Sequence, residues 1–65
     1  MNAKTAKTIL AKMMGNDFTE RKLDGGMGVW ARAGEAMASF DGDFSADELE
    51  AIAAWMRDPE GVTNA

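Results

Sequence analysis

The segment that begins at Ser45 contains the strongest secondary-structure signal in this sequence. Ser45 and Glu48 have the spacing of a capping box, in which each side chain accepts a hydrogen bond from the backbone N–H of the other residue. Phe44 and Leu49 lie at the two positions of a hydrophobic staple. Apolar residues then recur at helical spacing until Pro59, which predicts a helix over about 46–57. The predicted buried stripe of this helix consists of Leu49, Ile52, Ala53 and Met56, with Trp55 on its flank.

A second helix is predicted near the start of the chain, over roughly Ala3 to Met14. Asn2 is a suitable N-cap residue and Gly15 supplies the stop. The apolar residues of this segment recur at three- and four-residue steps: Ala3, Ala6, Ile9, Leu10, Met13 and Met14.

The middle of the chain is interpreted as two further helices. Asp17 and Glu20 resemble a second helix start, for a helix of about two turns that ends near Gly25. From about residue 27 to residue 40, the apolar residues again follow helical steps: Met27, Trp30, Ala33, Met37 and Phe40. No stretch shows the strict alternation of a half-buried strand. The sequence therefore predicts an all-α fold, a compact bundle of three to four short helices in a single domain (1–65), with about 59–65 as a flexible C-terminal tail.

Composition argues against a catalytic or metal-dependent protein. The 65 residues include no Cys, His or Tyr, so the usual nucleophiles and bases are missing, and so are disulfides and soft zinc ligands. Alternate oxygen ligands over residues 41–47 resemble the start of a calcium-binding EF-hand loop. Ala46 and Ile52 occupy the positions that require glycine and glutamate, however. We expect no enzyme activity, no cofactor and no bound metal.

Charge is segregated along the chain. Residues 1–34 carry six basic and three acidic side chains, a balance of +3, whereas residues 35–65 carry one basic and eight acidic ones, a balance of −7. Five acids fall within the ten residues 41–50: Asp41, Asp43, Asp47, Glu48 and Glu50. A single-sign field of this density repels nucleic acid and attracts basic surfaces. The sequence therefore favours a protein partner with a basic surface over direct nucleic-acid binding.

Two resemblances accompany these observations. Residues 41–49 are similar to the helix–turn–helix stretch of tellurite-resistance TerB-like domains, which join two helices through a comparable acidic turn containing glycine. In size, acidity and absence of catalytic groups, the whole chain resembles the small phage-encoded anti-CRISPR proteins. This second resemblance implies a DNA mimic that blocks the DNA-binding surface of a host complex, with a type I CRISPR effector subunit as the expected target.

The predicted partner-binding residues follow from the acidic surface and its neighbours. They are Asp41, Asp43, Asp47, Glu48, Glu50 and Glu35, with Trp55 and Met56 as apolar anchors; Asp58 and Glu60 extend the surface. The alternative is a small helical adaptor or regulatory subunit that binds through apolar helix faces, as a monomer or a weak dimer. The longest apolar runs are far shorter than a membrane span, so we expect no membrane association and a cytoplasmic location, in the host cell if the protein is phage-encoded.

Overall fold

The fold combines helices with a small antiparallel sheet. The computed structural model describes residues 1–15, 17–25 and 27–65. Its elements in chain order are α1 (Ala3–Met14), β1 (Lys22–Asp24), β2 (Val29–Arg32), β3 (Ala38–Phe40), α2 (Ala46–Arg57) and α3 (Pro59–Thr63). The three strands pair in the order β1-β2-β3, both pairs antiparallel. The prediction of an all-α helical bundle is therefore wrong, and the protein is a small α+β domain.

The two helices with strong end signals form as predicted. The Asn2 side chain accepts a hydrogen bond from the backbone N–H of Thr5 (2.8 Å), and Gly15 caps the other end of α1. The capping box of α2 has both of its bonds. The N–H of Ser45 donates to Glu48 Oε1 (2.8 Å) and the N–H of Glu48 donates to Ser45 Oγ (3.1 Å).

The two-turn helix predicted after Asp17 is absent, and Lys22–Asp24 form β1 instead. Glycine conformation explains why the next predicted helix, over 27–40, is absent too. Gly28 and Gly34 have φ angles of 80° and 86°, so the right-handed helix predicted over 27–40 cannot pass through either residue. Along β2 the side chains alternate between buried and exposed, which is the period of a strand. The apolar residues of the helix predicted over 27–40 therefore do not form a buried face: Met27, Trp30, Met37 and Phe40 are all exposed.

The core lies between the inner face of the sheet and the helices. Leu23, Val29 and Ala31 project from the sheet into one cluster of buried side chains. The helices contribute Ala6, Leu10, Met13, Met14, Ala51, Ile52, Trp55 and Val62. In α2 the buried face is therefore centred on Ala51, Ile52 and Trp55. The predicted stripe is rotated from this face, because Leu49, its expected first member and the expected partner of Phe44 in the staple, is exposed.

The segment predicted to be a flexible tail forms α3. Asp58 caps this helix through Oδ1, which accepts from the N–H of Gly61 (3.1 Å). Val62 is buried in the core, and Lys7 Nζ of α1 donates to the carbonyl oxygen of Ala65 (2.9 Å). Burial of Val62 provides an apolar contact that orders this segment.

Within the described ranges, none of the helices has the length and apolar character needed to cross a membrane.

Candidate binding surfaces

The acidic segment, residues 41–50, runs from the end of β3 into the first turns of α2. Asp41 continues the sheet, since its N–H donates to the carbonyl oxygen of Gly28 (2.7 Å). Asp43 lies in the connection to α2, and Asp47 and Glu50 lie on the helix itself. These four carboxylates belong to exposed residues. Because Asp47 and Glu50 are three residues apart, they are neighbours on the helix surface, about 4.5 Å apart along its axis.

Glu48 differs from the other acids of this segment. Its side chain is only partly exposed, and one carboxylate oxygen is occupied by the capping-box bond from Ser45. The sequence explains Glu48 fully as a structural residue of α2. Its contribution to a binding surface is therefore smaller than that of Asp47 or Glu50.

The acidic segment makes no ion pair within the described residues. Across the part of the chain that the structure describes, the one ion pair joins Lys22 Nζ to Asp24 Oδ2 (3.2 Å), on β1. Lys12 of α1 borders the same shallow groove as Asp47 and Glu48, without an ion pair to either. Arg57 likewise borders a shallow groove with Glu50, without an ion pair to it among the described residues. Two cations, Lys12 and Arg57, thus flank the segment, and its carboxylates remain unpaired in the part of the chain described.

The remaining predicted site residues occupy two environments. Glu35 and Met56 line one shallow surface groove together with Ala36 and Arg57, so the structure brings them together away from the start of α2. Asp58 and Glu60 are exposed at the start of α3, with Asp58 engaged as its cap.

Trp55 lies in the core. It has no exposed surface, and its indole Nε1–H donates to the carbonyl oxygen of Thr19 (2.9 Å). A side chain in this position cannot contact a partner while the domain is folded. The aromatic anchor expected at residue 55 is therefore absent from the surface.

A second surface, which the sequence did not predict, is the outer sheet face. Trp30 lies at its centre, between Asp24 of β1 and Ser39 of β3 in the strand registers, and is 45 % exposed. The next row places Lys22 beside Arg32. The groove on this face is bordered also by Glu35 and by Met37, which is 78 % exposed. We use the name outer sheet face for Lys22, Asp24, Trp30, Arg32, Glu35, Met37 and Ser39.

The chemistry of the outer sheet face is typical of a protein interface. Trp, Met and Arg are enriched at the centres of such interfaces. The formal charges balance, with Lys22 and Arg32 against Asp24 and Glu35. The alternation of Lys22-Leu23-Asp24 was a sequence signal for this face, but it is only three residues long, and Val29-Trp30-Ala31 is an uninterrupted apolar run without period two.

Side chains that could hold a metal ion do not gather on these surfaces. In residues 1–15, 17–25 and 27–65 there is no group of three or more Asp, Glu, His or Cys placed to hold a metal ion. The calcium-like spacing of residues 41–47 is interrupted by the start of α2 at Ala46.

Comparison with known proteins finds no relative of this chain, which matches no protein-family model, no curated protein and no solved structure.

Proposed function

We propose that this protein is a non-enzymatic inhibitor that binds a basic protein surface through the acidic segment, as a mimic of DNA. The best-supported target class is a nucleic-acid-handling complex of the host, and a type I CRISPR surveillance complex is our preferred example. The observation that carries this proposal is the exposure of Asp41, Asp43, Asp47 and Glu50 without ion pairs in the described part of the chain.

The geometry of the acidic segment supports an electrostatic role. Duplex DNA presents about one charge per 1.7 Å of its axis. Asp47 and Glu50 lie about 4.5 Å apart along α2, a wider spacing than that of the duplex charges, and the exposed Asp41 and Asp43 precede the helix in the chain. A basic groove built to bind phosphates would exchange its counterions for these carboxylates.

The experiment is competition for a purified type I surveillance complex between this protein and a fluorescent target duplex. We expect stoichiometric displacement of the duplex. Affinity should fall steeply as salt rises from 50 to 200 mM, because salt screens the attraction between these carboxylates and the basic groove. The test variant is Asp47→Lys/Glu50→Lys, which spares the capping-box residue Glu48.

A matched control separates a local effect from net charge. Asp17→Lys/Glu20→Lys makes the same change in net charge at two exposed residues outside the acidic segment. The proposal requires the control to bind like the wild type and the test variant to lose displacement. Equal loss in both variants, or no displacement by the wild type, would contradict it.

The second candidate function is that of an adaptor, and the exposure of Trp30 and Met37 favours it. The surface differs from the apolar helix faces that the sequence suggested, because these side chains lie on the outer sheet face. An adaptor of this kind would bind its partner with little salt dependence and would lose binding in Trp30→Ala. DNA mimicry predicts instead that binding weakens steeply with salt and is retained in Trp30→Ala.

A further inference from the structure

The two edges of the sheet differ in how they are protected. At the β1 edge, Phe18 forms an isolated bridge with Leu23, and the N–H of Thr19 donates to the carbonyl oxygen of Lys22 (3.0 Å). At the β3 edge, no further strand is present among the described residues. β3 is protected by its short length, and its three residues, Ala38, Ser39 and Phe40, include no charge and no proline.

The ladder between β2 and β3 fixes which backbone groups of β3 point outward. The N–H of Asp41 donates to Gly28 across this ladder (2.7 Å), and bonded pairs alternate in antiparallel sheets. Ser39 is therefore bonded to Trp30, its register partner. Ala38 and Phe40 direct their N–H and C=O groups away from β2, and neither makes a backbone hydrogen bond outside the sheet in the part described.

We infer that β3 is a docking edge for a second copy of this chain, which pairs its own β3 in antiparallel orientation around a two-fold axis through Ser39. In this register, Ala38 of one copy exchanges both backbone hydrogen bonds with Phe40 of the other, and the axis repeats the exchange. All four outward N–H and C=O pairs are then satisfied. The product is a continuous six-stranded sheet.

Side chains on both faces fit this arrangement. Phe40 is 45 % exposed and packs edge-to-face on Phe44, with ring centroids 5.3 Å apart. In the paired sheet its ring covers Ala38 of the second copy, which removes apolar surface of both residues from water. On the opposite face, the small Ser39 side chains meet at the axis and leave room for close approach.

Charge complementarity also favours a second copy over an unrelated strand. Continued by one residue, the β2–β3 register places Arg32 opposite Met37. In the paired sheet, Asp41 of one copy lies opposite Met37 of the other, so Arg32 lies two strand spacings, about 10 Å, from Asp41 on the same face. On each side of the axis, a cation of one copy thus lies about 10 Å from an anion of the other on the same face, with Met37 between them.

Sedimentation equilibrium of the full chain over micromolar to millimolar concentration tests this inference. We expect the mass to rise from 7.0 kDa toward twice that value. In Ala38→Pro only an outward N–H is lost, and proline is tolerated at such edge positions. We expect at least a tenfold weaker association for this variant, with an unchanged circular dichroism spectrum.

Two further variants keep the test decisive. If Ala38→Pro fails to fold, Ser39→Lys replaces it, because two lysines opposed at the axis repel each other while each single copy keeps its sheet. Trp30→Ser removes the centre of the outer sheet face and should associate like the wild type. A wild type that stays at 7.0 kDa throughout overturns the inference. So does association that survives Ser39→Lys or is lost in Trp30→Ser.

Discussion

Trp55 of α2 and Thr19, in the connection before β1, are joined by a hydrogen bond from the indole N–H to the backbone carbonyl (2.9 Å). The residues are 36 positions apart in the chain. This bond anchors the segment that protects the β1 edge to the buried face of α2. It also satisfies the polar atom of the largest side chain in the core.

Replacing Trp55 by Phe should destabilise the domain by about 1–3 kcal/mol, because the carbonyl of Thr19 loses its partner and the smaller ring leaves space in the core. Urea unfolding followed by far-ultraviolet circular dichroism measures the free energy. Trp30→Phe is the matched control, since Trp30 is half exposed and makes no side-chain hydrogen bond in the described structure. Equal losses in the two variants would refute the assigned role of the Thr19 bond.

Gly28→Ala should cost more stability than Gly34→Ala, although both residues have nearly equal positive φ angles. A Cβ at Gly34 meets no atom within 4 Å, so only the backbone conformation is penalised, by about 1–2 kcal/mol. A Cβ at Gly28 would overlap the carbonyl oxygen of Asp41, and the backbone of β3 must shift to relieve the overlap. Thermal unfolding of both variants gives the comparison, and equal melting temperatures would show that the β2–β3 approach is looser than described.

Ser45→Ala should destabilise the protein by about 0.5–2 kcal/mol through loss of the N-cap of α2. Ser39→Ala is the control, because the Ser39 hydroxyl is exposed and makes no hydrogen bond within the described residues. Chemical denaturation of both variants measures the difference. A loss in Ser39→Ala as large as in Ser45→Ala would contradict the assignment of the cap.

The two tryptophans should behave differently toward a soluble quencher of fluorescence. In Trp55→Phe the remaining Trp30 is 45 % exposed, so iodide should quench it strongly and its emission should be shifted to the red. In Trp30→Phe the remaining Trp55 has no exposed surface and should be quenched severalfold less. Similar quenching constants in the two variants would exclude the burial described for Trp55.

The ends of α1 and α2 could be predicted from sequence because their signals are local, whereas the similar start signal at Asp17 and Glu20 was wrong, since the chain after it forms β1. Asn2, Gly15 and the Ser45–Glu48 pair act within one turn of chain, and each forms the bond that its spacing predicts. The solvent-facing side of a helix depends instead on what packs against it. Leu49 fits an apolar stripe, yet Ala51 faces the core, since the sheet and α1 approach α2 from that side.

The sheet could not be predicted by the same reasoning, because its apolar residues happen to fall at helical steps. Trp30, Met37 and Phe40 follow one another at steps of seven and three residues, and the first two lie on the exposed outer sheet face. The glycines of this segment indicate its backbone conformation better than the spacing of its apolar residues does. Gly28 and Gly34 require a left-handed backbone, which is incompatible with a helix through either position.

The residues of the candidate surfaces, like the elements of the fold, could be predicted only in part. The exposed positions of Asp41, Asp43, Asp47 and Glu50 agree with the expectation from sequence, since charged side chains at a turn and a helix start remain in water. Trp55 was misplaced because residue type alone does not distinguish a core tryptophan from an interface tryptophan. The exposed one, Trp30, became visible only with the strand registers.

The two long helices are distant in sequence but pack on each other. Residues 15–45 separate α1 from α2 along the chain. Closing a loop of this length costs entropy before the contacts between the helices repay it. The β1–β2 and β2–β3 pairings are local by comparison and shorten the effective loop once formed. We therefore expect early pairing of the three strands to bring α1 within reach of α2, and substitutions that weaken this pairing to slow folding.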